Sequence, residues 1–207
     1  TGSRFVSVTR FDSAEQLEEV LAMGAEEGAT LSIGQLDILL EDLRQTALGK
    51  GTRTEVLTDT RVRITRFLDH PREAIWEALT RPELVRRWLL GPNGWSMPVC
   101  ESDLRPGGAY RYGWEPMPGT DGEAFGFDGE TLLVEPPFRW VTTEAMSGSE
   151  HPPATNDVTL LAQDGGTLLT YVIEYPDAGT LEVVLGTGMA EGMEASFARL
   201  EGEILGA

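Results

Sequence analysis

Three glutamates in strand-like segments are the first candidates for chemistry in this sequence. Glu130, Glu144 and Glu174 each lie in a segment that is typical of a β-strand. A glutamate that faces a cavity has a raised pKa and can act as a general acid or base. A glutamate on the solvent face keeps an ordinary pKa and has no such role. The two histidines, His70 and His151, lie at a helix start and in a proline-rich loop, away from any nucleophile motif. A Ser-His-Asp or Cys-His site is therefore not supported.

Aromatic side chains, Tyr110 among them, are concentrated in the same segments and suggest an apolar pocket. They would face Met189 and Met193 of a C-terminal helix. Gly188 and Gly192 of that helix have no side chains and so would leave room for a cavity. The alternative is that these side chains form an ordinary core. Under the pocket interpretation, the lining residues are Trp88, Trp95, Tyr112, Trp114, Phe125, Phe127, Trp140, Glu144, Tyr171, Met189 and Met193.

Two polar features have both a functional and a structural interpretation. Arg111 could reach the mouth of the pocket and meet a ligand carboxylate, or it could pair on the surface. The sequence from Asp103 to Gly108 predicts a tight turn, with glycine supplying the backbone freedom and Asp103 or Arg105 satisfying backbone groups.

The candidate residues are positioned by a long amphipathic helix, predicted from about Gly179 to Leu205. Apolar and small residues recur there at helical spacing. The stretch occurs twice, because Phe11–Leu40 lies over Tyr175–Ile204 without a gap when 164 is added to each number. Both glycines of the pattern are shared, although glycine is disfavoured inside a helix. We therefore interpret the stretch as an internal repeat.

The repeat predicts how the chain is divided. Residues 1–50 would be a partial copy, with a strand over Phe5–Arg10 and a helix from Ser13 to about Gln45. Leu48–Thr54 would be a linker, and residues 55–207 would be the complete domain.

The complete domain is predicted to have an α+β fold. Its element order is β-α-α-β-β-β-β-β-β-α, with Asp69 or His70 at the start of the first short helix. This order favours a curved antiparallel sheet wrapped around the long C-terminal helix. The strands are expected over 55–68, 95–104, 109–115, 124–134, 139–145, 158–162 and 167–175.

Composition excludes several classes of function. A net charge of −18 argues against nucleic acid or an anionic membrane as the partner. Cys100 is the single cysteine, so no internal disulfide forms, and no Cys/His spacing suggests a metal; no cofactor is expected. No apolar run is long enough to span a bilayer, which favours a cytoplasmic protein.

Several ordered motifs resemble one family. RPELVRRWLLGPNGW, DLRPGGAYRY, LLVEPPFRWVTTEA, DGGTLLTYVI and GMAEGMEASFARL occur in the order typical of the helix-grip superfamily, which includes START and Bet v 1 proteins (SRPBCC). Within it, the chain from about Glu55 resembles the bacterial relatives of the C-terminal domain of the Hsp90 ATPase activator. Two positions depart from that pattern: Trp88 and Gly91 are separated by two leucines, and Met193 replaces an aromatic residue. Both positions tend to line the cavity in relatives.

The resemblance implies a helix-grip fold and leaves three functions open. The first is binding of a small hydrophobic ligand in a cavity between the sheet and the C-terminal helix. The second is a cyclase or hydrolase that acts on a hydrophobic metabolite. The third is a protein-interaction or stress module, as in the Hsp90 activators. The fold alone does not choose among them.

The helix of the partial copy has an apolar stripe without a sheet of its own. Leu17, Val20, Leu21, Leu36 and Leu40 belong to this stripe. If the stripe were exposed to water, each large side chain would lose about 1.5–3 kcal/mol of stabilisation from burial. We therefore expect it to pack on the domain or to pair with a second chain, preferably as a symmetric homodimer.

Overall fold

A curved antiparallel sheet is the main element of the fold. The computed structural model describes residues 6–47, 51–163 and 165–206, with the backbone alone at 38 and 41–47. Among these residues, eight strands pair in the order β1-β2-β8-β7-β6-β5-β4-β3. They are β1 (Arg53–Val56), β2 (Arg61–Leu68), β3 (Trp95–Ser102), β4 (Ala109–Pro116), β5 (Phe125–Glu135), β6 (Arg139–Met146), β7 (Ala154–Gln163) and β8 (Gly166–Glu174).

Helices that follow β2 along the chain cover one face of this sheet, called here the inner face. After α1 (Ala14–Ala22) and α2 (Ala25–Ala47), the helices are α3 (Arg72–Thr80), α4 (Pro82–Trp88), α5 (Ala178–Gly186), α6 (Met189–Arg199) and a π-helical turn over Leu200–Leu205. Phe197 and Leu200 are fully buried against Leu68 and Leu169 of the sheet. Leu181 is buried with Val62 and Ile64. Each such side chain contributes about 1.5–3 kcal/mol. The predicted helix-grip architecture is confirmed.

The chain divides into two compact units, residues 1–44 and 45–207. The first consists mainly of α1 and α2, and the second contains the sheet and the remaining helices. The predicted strand over Phe5–Arg10 is wrong in its described part, because residues 6–10 have no regular structure. Val6 and Val8 are exposed there, so their alternation reflects no buried face.

Neither copy of the repeat is one continuous helix, which corrects the prediction for both. Each breaks at a glycine in the left-handed region: Gly24 has φ +83° and Gly188 has φ +79°. Glycine adopts this conformation without the steric cost of a side chain. The caps also correspond, since Ser13 accepts a hydrogen bond from the backbone of Gln16 at 3.2 Å and Asp177 from that of Thr180 at 2.8 Å.

Two further sequence predictions need correction. Arg53 and Thr54, assigned to a linker, begin the edge strand β1, which pairs with β2; residues 48–50 lie outside the described part. All four residues of β1 are exposed, so the segment lacks the alternation that marks a half-buried strand. The cap of α3 is Pro71, without a side-chain hydrogen bond, and not Asp69 or His70.

Arg66 joins the sheet to the C-terminal helix. It projects from β2, and only 7% of its side chain is exposed. One Nη atom contacts the Glu194 carboxylate at 2.6 Å, and the other bonds to Glu201. The guanidinium also lies 5.9 Å from the centre of the Phe197 ring and donates to Thr52 beside β1 at 3.1 Å. One cation therefore connects β2, α6, the π-helical turn and the chain leading into β1.

We expect Arg66→Met to lower the free energy of unfolding by about 2–3 kcal/mol, below the usual range for a fully buried pair. The loss is smaller because the Glu194 and Glu201 side chains are 48% and 28% exposed and keep part of their hydration. Urea denaturation measures the change. Arg111→Met is the matched control. The Arg111 side chain pairs with Asp128 but is 63% exposed, so its substitution should lower the free energy of unfolding by about 0.5 kcal/mol or less. Equal losses in the two variants would contradict the structural role of Arg66.

Candidate ligand site on the inner face of the sheet

The candidate site lies where three strands place a row of side chains on the inner face. Residues opposite one another in register share a face of the sheet. Trp140, Val158 and Tyr171 form one such row across β6, β7 and β8. The next row runs from Thr142 through Asn156 to Ile173, and beyond it Glu144 stands opposite Ala154. A carboxyl and an amide are thus placed among apolar and aromatic neighbours.

Tyr110 of β4 reaches Glu144 across the intervening strand β5. Its hydroxyl donates to the Thr143 carbonyl oxygen at 2.9 Å and lies 3.2 Å from Oε2 of Glu144. The path is open because residue 129, opposite Tyr110, is glycine. A Cβ at Gly129 would lie 2.0 Å from the Thr143 oxygen and 2.3 Å from the tyrosine ring. Gly129 is therefore required for this contact.

Burial raises the pKa of the Glu144 carboxyl, and hydrogen bonds from Asn156 and Tyr110 act in the opposite direction. Burial, followed by the nearby Glu144 charge, raises the pKa of the Tyr110 hydroxyl. The same two causes raise the pKa of Tyr175 to about 12. Tyr110 and Tyr175 are therefore neutral donors at physiological pH, and Glu144 is the acidic group beside them, with its pKa raised by burial.

Asn156 has an unusual environment. Only 8% of the residue is exposed, and its Oδ1 atom has no hydrogen-bond partner among the described residues. A carboxylate only accepts hydrogen bonds, so an ionised Glu144 can pair with the amide nitrogen of Asn156 and not with its Oδ1. A buried acceptor without a partner costs about 1–3 kcal/mol.

The predicted lining residues form two aromatic groups. In the first, the Tyr171 ring lies 6.4 Å from Trp140 and 6.3 Å from Phe197, and Trp88 stacks on Phe197 at 6.1 Å. Met189 and Met193 pack beside Tyr171, and both are half-buried. This group lies beneath α6.

The second group lies on β3, β4 and β5, next to α4. Trp114 stacks on Phe125 at 5.1 Å, and its indole nitrogen donates to the Leu89 carbonyl oxygen at 2.7 Å. Phe127 and Trp95 extend the group, and Tyr112 contacts the Trp114 ring edge at 6.4 Å.

Glu144 influences both aromatic groups. Burial is the main cause that raises the pKa of Tyr112 and of Tyr171, and the charge of Glu144 adds to it at both tyrosines. The carboxyl therefore lies within electrostatic reach of one tyrosine from each group.

The other candidates for chemistry lie elsewhere. Glu130 and Glu174 are exposed. Arg111 pairs with Asp128 at 2.9 Å, which is the surface interpretation. The Asp103–Gly108 segment is the predicted tight turn: Arg105 donates to the Asp103 carboxylate at 2.8 Å, and the Gly108 amide bonds to the Arg105 carbonyl oxygen at 2.8 Å.

Asn156 was not predicted from the sequence, and neither was the bond between Tyr110 and Glu144. The β7 segment was expected to begin at Val158, whereas the strand begins at Ala154. A longer alternation, in which Ala154, Val158 and Leu160 are buried, would have marked Asn156 as an inward polar residue. Phe197 and Trp76 also join the aromatic groups; Trp76 packs edge-on against Trp140 at 5.3 Å.

A curved antiparallel sheet around a C-terminal helix, with a polar group on its inner face, defines a protein of the helix-grip class. The chain belongs to the family of Activator of Hsp90 ATPase homolog 1-like proteins, whose pattern matches residues 69–204. Among proteins of curated function, none matches. No helix in the described part of the chain has the length and apolarity needed to cross a membrane.

Solved structures of bacterial proteins are similar to this fold. One from Rhodobacter sphaeroides is 26% identical, with a TM-score of 0.70, and the match covers 76% of this chain and 100% of that one. One from Mycobacterium smegmatis is 28% identical, with a TM-score of 0.65, covering 73% and 95%. One from Nitrosomonas europaea is 26% identical, with a TM-score of 0.61, covering 70% and 94%.

The raised pKa of Glu144 predicts how stability depends on pH. As pH rises above about 4.5, the carboxyl ionises first in the unfolded chain, so stability falls until the pKa of the folded state is passed. Glutamine cannot ionise. Relative to Glu144→Gln, we expect the wild-type unfolding free energy to fall with rising pH, by at most about 1.4 kcal/mol per unit.

Urea denaturation at several pH values measures this difference. Glu130→Gln is the control, because that glutamate is exposed on the neighbouring strand, and its profile should follow the wild type. A difference between wild type and Glu144→Gln that stays constant with pH, or that grows in favour of the wild type, would contradict the assignment.

Proposed function

We propose that this protein binds a small hydrophobic ligand between the inner face of the sheet and α5–α6. The observation that supports this most is the state of the side chains around Glu144. Tyr112, Phe127, Tyr171, Met189 and Met193 are only half-buried, although all five pack against buried core clusters. Phe197, Leu200 and Leu169, by contrast, are at most 1% exposed.

The chemistry of these side chains suits an adaptable apolar site. Methionine has a flexible, polarisable side chain that fits ligands of differing shape, and aromatic rings offer large rigid surfaces. A mostly apolar lining with a few polar groups is typical of small-molecule sites. Glu144, Tyr110 and Asn156 are the polar groups here.

A bulky substitution at Met193 should fill this site. With Nile red, a neutral hydrophobic dye, as the probe, we expect saturable binding to the wild type and at least about tenfold weaker binding to Met193→Trp. Dye fluorescence measures both. Met117→Trp is the matched control, because Met117 is 47% exposed in a loop and its substitution should leave dye binding unchanged.

Equal dye binding by the wild type and both variants would contradict this location. Absence of saturable binding to the wild type would contradict the proposed function for this probe class. Circular dichroism on each variant separates loss of binding from loss of fold.

We further propose that residues 1–50 are a partial copy of the domain that ends in the C-terminal helix. Both ends and the N-cap of α1 correspond to those of α5, the glycine breaks at Gly24 and Gly188 correspond, and α2 begins at the position that corresponds to the start of α6. The burial differs. Leu17, Ile33 and Leu36 are 40%, 46% and 42% exposed. Their counterparts, at positions higher by 164, are Leu181, Phe197 and Leu200, which are 3%, 1% and 0% exposed.

We infer that a second copy of this chain covers the exposed positions, in a homodimer. Large apolar patches are uncommon on monomers, and identical stripes can bury each other across a two-fold axis. The segment from Ala14 to Leu40 contains six acidic and no basic residues. Like charges repel, so screening by salt should strengthen this association.

Light scattering on the full chain should give twice the monomer mass of 22.6 kDa. Leu36→Asp should give the monomer mass, because a charge would be buried in the interface. Leu132→Asp is the control: Leu132 is 47% exposed on β5, and its substitution should leave the dimer intact. A wild type that is monomeric at both low and high salt would contradict the dimer.

A further inference from the structure

The unpaired oxygen of Asn156 identifies which polar group a ligand has to carry. Oδ1 is buried and has no partner among the described residues, and Asn156 lies close enough to Glu144 to act on the pKa of that carboxyl. The oxygen can only accept a hydrogen bond, so its missing partner is a donor. A water molecule can supply that donor when the site is empty, and a ligand group can take its place.

The neighbouring groups do not supply this donor. The Tyr110 hydroxyl has one hydrogen, which it directs to the Thr143 carbonyl and the Glu144 carboxyl. Thr142 and Ile173 stand opposite Asn156 in register, and Ile173 has no polar side-chain atom. Thr142 makes no hydrogen bond to Oδ1, because that oxygen has no partner among the described residues. In the recess around Asn156, Oδ1 is therefore a buried acceptor to which none of these neighbours bonds, and it remains available to a ligand donor.

The charge of this recess also selects among ligands. Glu144 is its acidic group, and the salt-bridged arginines Arg111 and Arg139 pair with Asp128 and Asp157. An anionic ligand would meet a carboxyl and an acceptor oxygen without a compensating cation, which costs binding free energy in a partly buried site. A donor on an apolar, non-anionic body meets complementary groups.

We propose that the ligand is a non-anionic, apolar molecule with an N–H or O–H donor, and that this donor bonds to Asn156 Oδ1 beside Glu144. The apolar body of the ligand lies against Tyr171 and Met193. This inference rests on the proposed ligand-binding function and specifies its selectivity. Asn156 and Glu144 are then the residues that determine specificity.

The test compares two probes that differ by the donor alone. Indole and 1-methylindole have the same aromatic body, but methylation removes the N–H. Each is used to displace Nile red from the wild-type protein. We expect indole to compete about tenfold more strongly than 1-methylindole, because the methylated probe leaves Oδ1 unpaired and brings a methyl group against it. Indole-3-acetate, which adds a carboxylate, should compete more weakly than indole.

Variants assign the preference to Asn156. Asn156→Leu keeps a similar side-chain volume without the acceptor, so the ratio between the two probes should fall to about one while Nile red still binds. Ser196→Ala is the control, because Ser196 is buried on α6 outside the recess and its substitution should keep the ratio.

The outcomes separate this inference from the function on which it rests. If Nile red binds but both indoles compete equally in the wild type, or if indole-3-acetate competes best, the inference is wrong and the binding function stands. If Asn156→Leu folds, binds the dye and retains the preference, the assignment to Asn156 is wrong. If Nile red does not bind to the wild type, the proposed function itself fails for this probe class.

Discussion

The ion-pair cluster around Arg66 is the interaction on which the rest of the domain depends. A sheet that curves around a helix needs a contact that fixes the helix along its axis, because apolar packing alone is not directional. Arg66 provides it by holding Glu194 and Glu201, two turns apart on the C-terminal helix, from a single strand. Phe197 is thereby kept over the inner face, where it meets Tyr171. The side chains around Glu144 then face α6 in a defined register.

Two glycines adapt this frame to a site. Gly188 breaks the C-terminal helix in the left-handed conformation, so Met189 and Met193 begin a new helix over the sheet. Gly129 gives Tyr110 a path across β5 to Glu144. The domain therefore accommodates a partly buried carboxyl and amide within an apolar interior, at a cost in stability that depends on pH.

Much of the fold was predictable because its signals are periodic. Seven strands and the α3–α4 pair follow from alternation, turns and helical spacing, and the repeat located the C-terminal helix. The edge strand β1 was missed because it is short and fully exposed, so pairing with β2 alone defines it. The helix breaks were missed because glycine inside a helical pattern does not reveal its backbone angle. Glu144 was a candidate because its segment is strand-like. That Asn156 and Tyr110 lie beside it depends on how distant strands pair, which the sequence does not show.

Hydrogen exchange of the full chain tests most directly whether the C-terminal helix and the sheet form one cooperative unit. The amides of residues 196–200 and those of the central strands β7 and β8 would be followed under native conditions. If the Arg66 contacts and the burial of Phe197 fix the helix to the sheet, both sets exchange with the same opening free energy, equal to that of global unfolding. Exchange of the helix amides through a separate opening, several kcal/mol lower than that of the strands, would contradict the account.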